Sequence, residues 1–373
     1  MPIVEERKRI LKMIEEGKLS AEEAMALLEQ LEKDHKEMEE KQESFVTELS
    51  TQVNWNEGES SFQSKAAKAA SLKKTVLDFM DKAYKKIKDF DLDFNFGPAT
   101  SVKHIFQHSD VYLTDVDIDV ANGSVRLVPW TERDVRVECE AKVYQTESQD
   151  EARKVFLQDV LFSIEGGKLR YSVQKKKMKV NAVMYLPKEH YHAISVRLFN
   201  GKIDGEQISV KDFKAKTANG KITLTNFQTE KLEVETANGH ITLTKLDTQK
   251  IEAETINGTI KVDGSYKKAD LQSFNGNIIC TVNDARCETL FIKSTTGNID
   301  MMVPKRISMQ GEVKTNIGNI LCEIRDVLKK EEKQDVVQKY LKFSTLPVEG
   351  TDPLLVDVDT KTGSVLIQEK GAL

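Results

Sequence analysis

The chain has 373 residues, more than one ordinary domain needs, and its 55 basic and 60 acidic side chains leave a formal charge of −5. So small a charge argues against a dedicated nucleic-acid binder, and no run of about 18 apolar residues is available to span a bilayer as a helix. Cys139, Cys280, Cys287 and Cys322 lack C-x-x-C spacing and histidine neighbours, so neither a zinc site nor a disulfide framework is expected.

Met1 to Ile10 is charged and lacks an apolar secretory core, which makes the cytoplasm the expected compartment. Residues 1–45 read as a short two-helix interaction module. Ile10, Leu11 and Ile14 form one apolar stripe, and Gly17 is placed as a C′ residue. Ser20 followed by Glu23 is a capping box for the next helix, whose apolar face is Ala24, Leu27, Leu28 and Leu31. So short a pair buries little by itself. Ile10, Leu11, Ile14, Leu27, Leu28 and Leu31 are therefore the expected interface with a partner or with another copy, a route to a homo-oligomer.

Residues 46–64 are rich in Ser, Thr, Asn, Gln and Gly and read as a flexible linker. Residues 65–97 carry a basic amphipathic helix and a connector. Leu72, Val76, Met80, Ala83, Tyr84 and Ile87 share one face, while Lys65, Lys68, Lys73, Lys74, Lys82, Lys85, Lys86 and Lys88 crowd the rest. Such a helix can lie on an anionic membrane or a partner through its lysines. It can equally cap the open end of a stacked array.

From residue 98 onward the pattern is β, with the first segment expected near Val111. Strand-like stretches lie around Val135–Tyr144, Leu169–Val173 and Met178–Leu186, a short helix is expected at Gln149–Val160, and a helical insertion at 325–343. The dominant feature is a repeat. Asn-Gly recurs with Gly201, Gly220, Gly239, Gly258 and Gly276 at steps of 19, 19, 19 and 18, and Gly123, Gly297, Gly318 and Gly363 carry further copies. Two residues after each glycine stand Val125, Ile203, Ile222, Ile241, Ile260, Ile278, Ile299, Ile320 and Val365. Polar residues alternate with these aliphatic columns, so each unit holds two short strands with one buried face. A hydroxyl recurs three residues before the glycine, as in Thr217, Thr236, Thr255 and Ser273. It serves either as a partner for turn backbone or as a small strand-end residue.

Two architectures fit. One is a β-solenoid of about 19-residue coils in which like residues stack about 4.8 Å apart. The other is an antiparallel meander of Asn-Gly hairpins. Recurrence of one residue type per column and the uniform length between units favour the coil. The segment 354–369 would then close the stack.

Chemical motifs are sparse. Asp115, Asp117 and Asp119 alternate along one strand, which suits a solvated acidic face better than a calcium loop. His190 and His192, expected in a loop, lack further nearby ligands. No nucleophile elbow, P-loop or dinucleotide fingerprint is present. Outward carboxylates such as Glu233, Glu235, Glu252 and Glu254 lie along strands rather than converging in a groove. No catalytic residue, cofactor or metal is expected.

With those residues in view, the chain resembles the LiaX/YvlB type of bacterial envelope-stress protein. Arg9 to Leu31 (RILKMIEEGKLSAEEAMALLEQL) is similar to the SHOCT-type helical module that opens those proteins. The repeated T-x-N-G-x-I-x-L, as in Thr217–Leu224 and Thr236–Leu243, looks like their β-strand-repeat adhesin-like domain. The resemblance implies a non-enzymatic binding and regulatory protein of the cell-envelope stress response. It implies membrane-bound stress-signalling proteins as partners and antimicrobial peptides as further ones; the basic helix adds anionic lipid, and the small net charge leaves out nucleic acid. The expected location is cytoplasmic at the inner face of the membrane, with the cell surface as the alternative. A carbohydrate-active β-helix enzyme and a surface adhesin are the competing functions.

Overall fold

A computed structural model describes residues 2–16, 19–50, 98–334, 338–350 and 352–371. The basic segment with Lys65 to Lys88 lies outside the described residues. Helix α1 (Pro2–Glu15) is followed by α2 (Ala21–Ser50). The Ser20 and Glu23 capping box forms as written, with the Glu23 carboxylate accepting from the Ser20 N–H at 2.9 Å. Residues 46–50, read as the start of a linker, are helical instead, because α2 runs on to Ser50, and the rest of that segment, 51–64, lies outside the described residues. The continuation of α2 is stabilised by packing described below rather than by propensity.

The rest is mainly β. Strand β1 (Ala99–His108) precedes the expected start at Val111, followed by β2 (Asp115–Trp130), β3 (Val135–Tyr144), helix α3 (Gln149–Asp159), β4 (Val160–Glu165), β5 (Lys168–Val173), β6 (Met178–Pro187) and β7 (His190–Glu206). Then come β8 (Ser209–Asn219), β9 (Ile222–Thr225), β10 (Gln228–Asn238), β11 (Ile241–Asn257), β12 (Ile260–Asn275), β13 (Ile278–Val282), β14 (Thr289–Thr296) and β15 (Ile299–Val303). The last are β16 (Met309–Thr315), β17 (Ile320–Glu323), β18 (Val327–Gln334), β19 (Lys339–Thr345), β20 (Leu354–Thr360) and β21 (Val365–Glu369).

Successive repeats pair in parallel and in register. Leu232 lies opposite Ile251, Val234 opposite Ala253 and Ile241 opposite both Ile222 and Ile260. The antiparallel meander is thereby excluded, and the stack is β-solenoid-like. Ile222, Ile241 and Ile260 are fully buried in one file, within a core that runs the length of the stack. The Asn-Gly glycines are not hairpin residues. Only Gly123 and Gly201 among them have positive φ, at 138° and 140°. Their role is close approach: a Cβ on Gly220 would sit 1.9 Å from the Gly201 carbonyl oxygen, and one on Gly239 1.9 Å from that of Gly220. The hydroxyl column serves the turn one coil below. Thr217 Oγ1 donates to the Gly201 carbonyl at 3.1 Å, Thr236 to Gly220 at 3.0 Å and Thr255 to Gly239 at 3.0 Å.

Rung order departs from chain order at both ends. The coil 115–130 pairs on one side with 168–187 and on the other with 190–206, so it lies between two coils that follow one another in sequence. The coil 354–369 lies in the same way between 289–303 and 309–323. It does not close the stack as expected; it fills the last slot but one. Ten rungs result, one more than the glycines mark, because Val180 takes the place of a glycine in the first.

Antiparallel strands cover both ends. At one, β3 pairs with β6 and β1 with β3, β4 pairs with β5, and α3 seals the corner with Ala152 and Phe156. At the other, β19 pairs with β16 and β18 with β19. The helical insertion expected at 325–343 is thus a β-hairpin. Its lysines and glutamates favour helix locally, yet Leu341 and Phe343 alternate with Lys342 and bury against the exposed edge of β16.

Candidate interaction surface

The Asn-Gly corner forms a ridge along the stack, and side-chain amides run along six of its rungs, from Asn122 to Asn275. Asn219 Nδ2 donates to Asn200 Oδ1 at 2.7 Å, Asn238 to Asn219 at 2.9 Å, Asn257 to Asn238 at 2.9 Å and Asn275 to Asn257 at 2.9 Å. Asn200 donates in turn to Asn122, and Asn122 ends the series on the Lys176 carbonyl at 3.0 Å. Each amide satisfies its neighbour's acceptor, so the ladder carries no net charge and polarises in one direction. At the opposite end Lys339 Nζ donates to the Gly318 carbonyl at 2.6 Å and to Asn319 Oδ1 at 2.8 Å.

Beside the ladder lies an apolar column that strand alternation would make polar. Two residues before the six glycines Gly123, Gly201, Gly220, Gly239, Gly258 and Gly276 stand Ala121, Phe199, Ala218, Ala237, Ile256 and Phe274. All are buried except Phe274, which is half-buried. Helix α2 covers this column, running antiparallel to the order of the rungs. Phe45 and Leu49 pack on Ala121, Phe199 and Ala218. Met38 Sδ accepts from Asn275 Nδ2 at 3.0 Å, and Lys41 pairs with Glu254 and stands 5.5 Å over the Phe274 ring. The α1–α2 junction settles on Ile317, where Ile10, Leu19, Ala24, Leu27 and Leu31 are buried with Ile14 and Leu28 partly so. Of the interface residues expected from sequence, five therefore meet inside the chain, while Leu11 is 51% exposed.

Lys216 fastens the clasp. Its side chain is 6% exposed, lies 2.7 Å from Glu48 and 2.9 Å from Glu235, and stands 4.4 Å over the Phe45 ring. Burial works against its charge, but its hydrogen bonds to the Glu48 and Glu235 carboxylates prevail and hold its pKa above the usual lysine value. This contact gave no sequence signal of its own. The column of alanines and aromatics before Asn-Gly did, since six apolar residues at outward positions require a cover.

The flat face beside the ridge neutralises itself. Glu233 is paired with Lys214 and Lys231, and Glu252 with Lys231 and Lys250. Burial opposes the Glu233 charge, but both lysines overcome it and bring its pKa down to about 2. A general acid needs the reverse shift. Asp115, Asp117 and Asp119 are likewise met by His192, Lys168 and Arg197. The Thr114 hydroxyl lowers the Asp115 pKa, while burial raises that of Asp119. His190 and His192 open strand β7 rather than sitting in a loop, with His190 Nδ1 2.8 Å from Ser209 Oγ.

A groove of about 590 Å³ crosses the outer face of β14, β20, β16 and β19 near the end of the stack. Phe291 and the half-exposed Leu355 supply apolar surface, and Glu312, Glu331, Asp357 and Lys342 surround it. Burial lifts the Asp357 carboxyl above the ordinary aspartate range. Among the described residues no group of three or more His, Cys, Asp or Glu could hold a metal ion, and no described helix is long and apolar enough to cross a membrane.

Residues 113–344, which hold nearly all of this stack, match the Toastrack DUF4097 family, and residues 5–35 match the SHOCT-like domain. The chain belongs to the Toastrack DUF4097 family. A Bacillus subtilis (strain 168) protein described as "Uncharacterized protein YvlB" is 50% identical over 341 residues, spanning 91% of this chain and 92% of its own length. The chain is thus a YvlB-type protein, with a SHOCT-like N-terminus and a Toastrack β domain. Solved structures of candidate adhesins from Parabacteroides distasonis and Bacteroides fragilis each cover 73% of it at 12% identity, with TM-scores of 0.41 and 0.33. These take in 98% and 97% of the adhesins' own lengths.

Proposed function

We propose that this Toastrack protein is a non-enzymatic binding and regulatory component of the bacterial envelope-stress response, acting at the inner face of the membrane. The observation that carries this reading is the α1–α2 arm laid along the Asn-Gly ridge. The reading is supported by a ridge that holds a helix along much of the stack and by outward carboxylates such as Glu233 and Glu252 that are paired with lysines. The arm and the stack together offer surfaces for a membrane-bound signalling partner. The lysines Lys65, Lys68, Lys73, Lys74, Lys82, Lys85, Lys86 and Lys88 supply the contact with anionic lipid.

Liposome co-sedimentation of the full chain tests this. Binding to anionic vesicles at low salt, lost at high salt and lost in Lys73→Glu/Lys74→Glu/Lys85→Glu/Lys86→Glu, is the expected result. An absence of binding to anionic vesicles removes the membrane contact, and fractionation of native cells to the outer surface would favour an adhesin instead.

A further inference from the structure

The slot between coils 289–303 and 309–323 is occupied by the chain's own last coil, which arrives out of order. We infer that this slot is a self-recognition site that can take the 354–369 coil of a second copy, linking two chains by exchange of that coil. The inference is independent of the function proposed above.

Three observations carry it. First, the slot is framed on both sides by the chain's own repeat chemistry. A Cβ on Gly363 would lie 1.8 Å from the Gly297 carbonyl oxygen, and one on Gly318 2.0 Å from that of Gly363, so only a glycine corner fits. Thr360 Oγ1 donates to the Gly297 carbonyl at 2.9 Å, and Thr315 Oγ1 to that of Gly363 at 2.8 Å. Ser364 N–H donates to Asn298 Oδ1 at 2.9 Å, and Asn319 N–H to Ser364 Oγ at 3.1 Å. An occupant must therefore bring a hydroxyl, a glycine and a small acceptor at fixed spacing, as this coil does. An unrelated strand would not.

Second, the coil lies at the C-terminal end of the described chain and is joined to β19 by an exposed stretch in which Leu346 and Val348 are 46% and 37% exposed. An exposed connector of this kind can serve as the hinge about which an identical element is exchanged between copies. Third, its withdrawal uncovers strand edges on both flanking coils, β14 and β15 on one side and β16 and β17 on the other. Open edges of this kind are refilled by strand addition. The identical coil of a second copy satisfies every contact just named.

Glu312 of the flanking strand β16 and Asp357 of the slot's occupant β20 are directly opposed in register and face outward. In the full chain, Glu312→Cys/Asp357→Cys should form an intramolecular disulfide with copper phenanthroline as oxidant. The exchange test mixes two differently tagged chains, one Glu312→Cys and one Asp357→Cys, incubates them in urea just below the unfolding transition, then dilutes and oxidises. The expected result is a mixed, reducible dimer about tenfold more abundant than in a control pairing Glu312→Cys with the exposed Lys211→Cys. If the double variant closes on itself but the mixed pair never exceeds the control, the slot does not exchange. If the double variant itself fails to close, the slot is not built as described and the inference fails with it.

Discussion

Gly239→Ala tests the stacking principle at the middle of the array. The new Cβ would lie 1.9 Å from the Gly220 carbonyl oxygen, whereas real Cβ contacts with backbone stay beyond about 3 Å, so the two coils must part by roughly 1 Å. The hydrogen bonds across that junction have no such slack. Gly220 N–H donates to the Asn238 carbonyl at 2.9 Å, Ile222 N–H to the His240 carbonyl at 3.0 Å, and Asn238 Nδ2 to Asn219 Oδ1 at 2.9 Å. Losing about three bonds at about 1 kcal/mol each, with some loosening of the Ile222 and Ile241 file, gives a cost of about 3–5 kcal/mol. Long stacked arrays need not unfold in one step, so a single midpoint is a poor readout. Hydrogen exchange resolves the effect by position, and protection should fall in coils 209–257 and hold near both ends. Gly350→Ala is the comparison, since nothing lies within 4 Å of its Cβ and only its φ of +78° opposes the change. A Gly239→Ala chain with unchanged exchange in those coils would refute close approach as the reason for the glycine column.

The remaining predictions are briefer. Ile241→Asp places a carboxylate in the fully buried file and should cost more than about 4 kcal/mol, read as loss of soluble folded protein, whereas exposed Lys221→Glu should stay within about 0.5 kcal/mol by urea titration. Glu233 has its folded pKa depressed to about 2 from an ordinary 4.5; its contribution is present above pH 4.5 and lost as pH falls toward 2, so Glu233→Gln should flatten that part of a stability-against-pH curve. Phe45→Ala/Leu49→Ala should make α2 sensitive to limited proteolysis while the far-ultraviolet β signal is retained, because the stack's own core touches neither residue. An equally protected α2 would mean that its ionic contacts suffice.

The repeat made the stack legible because stacking demands the same residue in the same column, and the sequence repeats Ile, Thr and Asn-Gly in their columns through the array. What it left hidden was order. No residue in 354–369 says which gap it fills, since every slot presents the same glycine, hydroxyl and aliphatic pattern to it. The tenth rung was hidden for a related reason: Val180 replaces the marker glycine, so its strands read as strands without declaring a coil. The hairpin at 327–345 was misread because its Lys and Glu residues suit a helix locally and only the edge of β16 decides otherwise. The arm's own capping box and apolar stripe were readable, but its destination was not. Lys216 is one lysine among many until Glu48, distant in sequence, reaches it.

The dimensions of the arm and the stack explain why the two are joined. Helix α2 has 30 residues and is about 45 Å long. Ten rungs separated by about 4.8 Å span about 43 Å. One helix can therefore touch both ends, with the α1–α2 junction at Ile317 in the outermost rung and Leu49 against Ala121 and Phe199 in the second and third. Those are the regions where chain order is broken and where a rung is held by neighbours distant in sequence. A clasp anchored there opposes loss of the end coils more than one lying on the middle would. The middle of the helix is correspondingly polar, held by Lys41 to Glu254 and Met38 to Asn275, and lifts away at less cost than its anchors. Release would have to proceed from an end. Leaving from the Leu49 end strips Lys216 of Glu48 and of the Phe45 ring, so that step carries the electrostatic cost and should be the one that added salt accelerates.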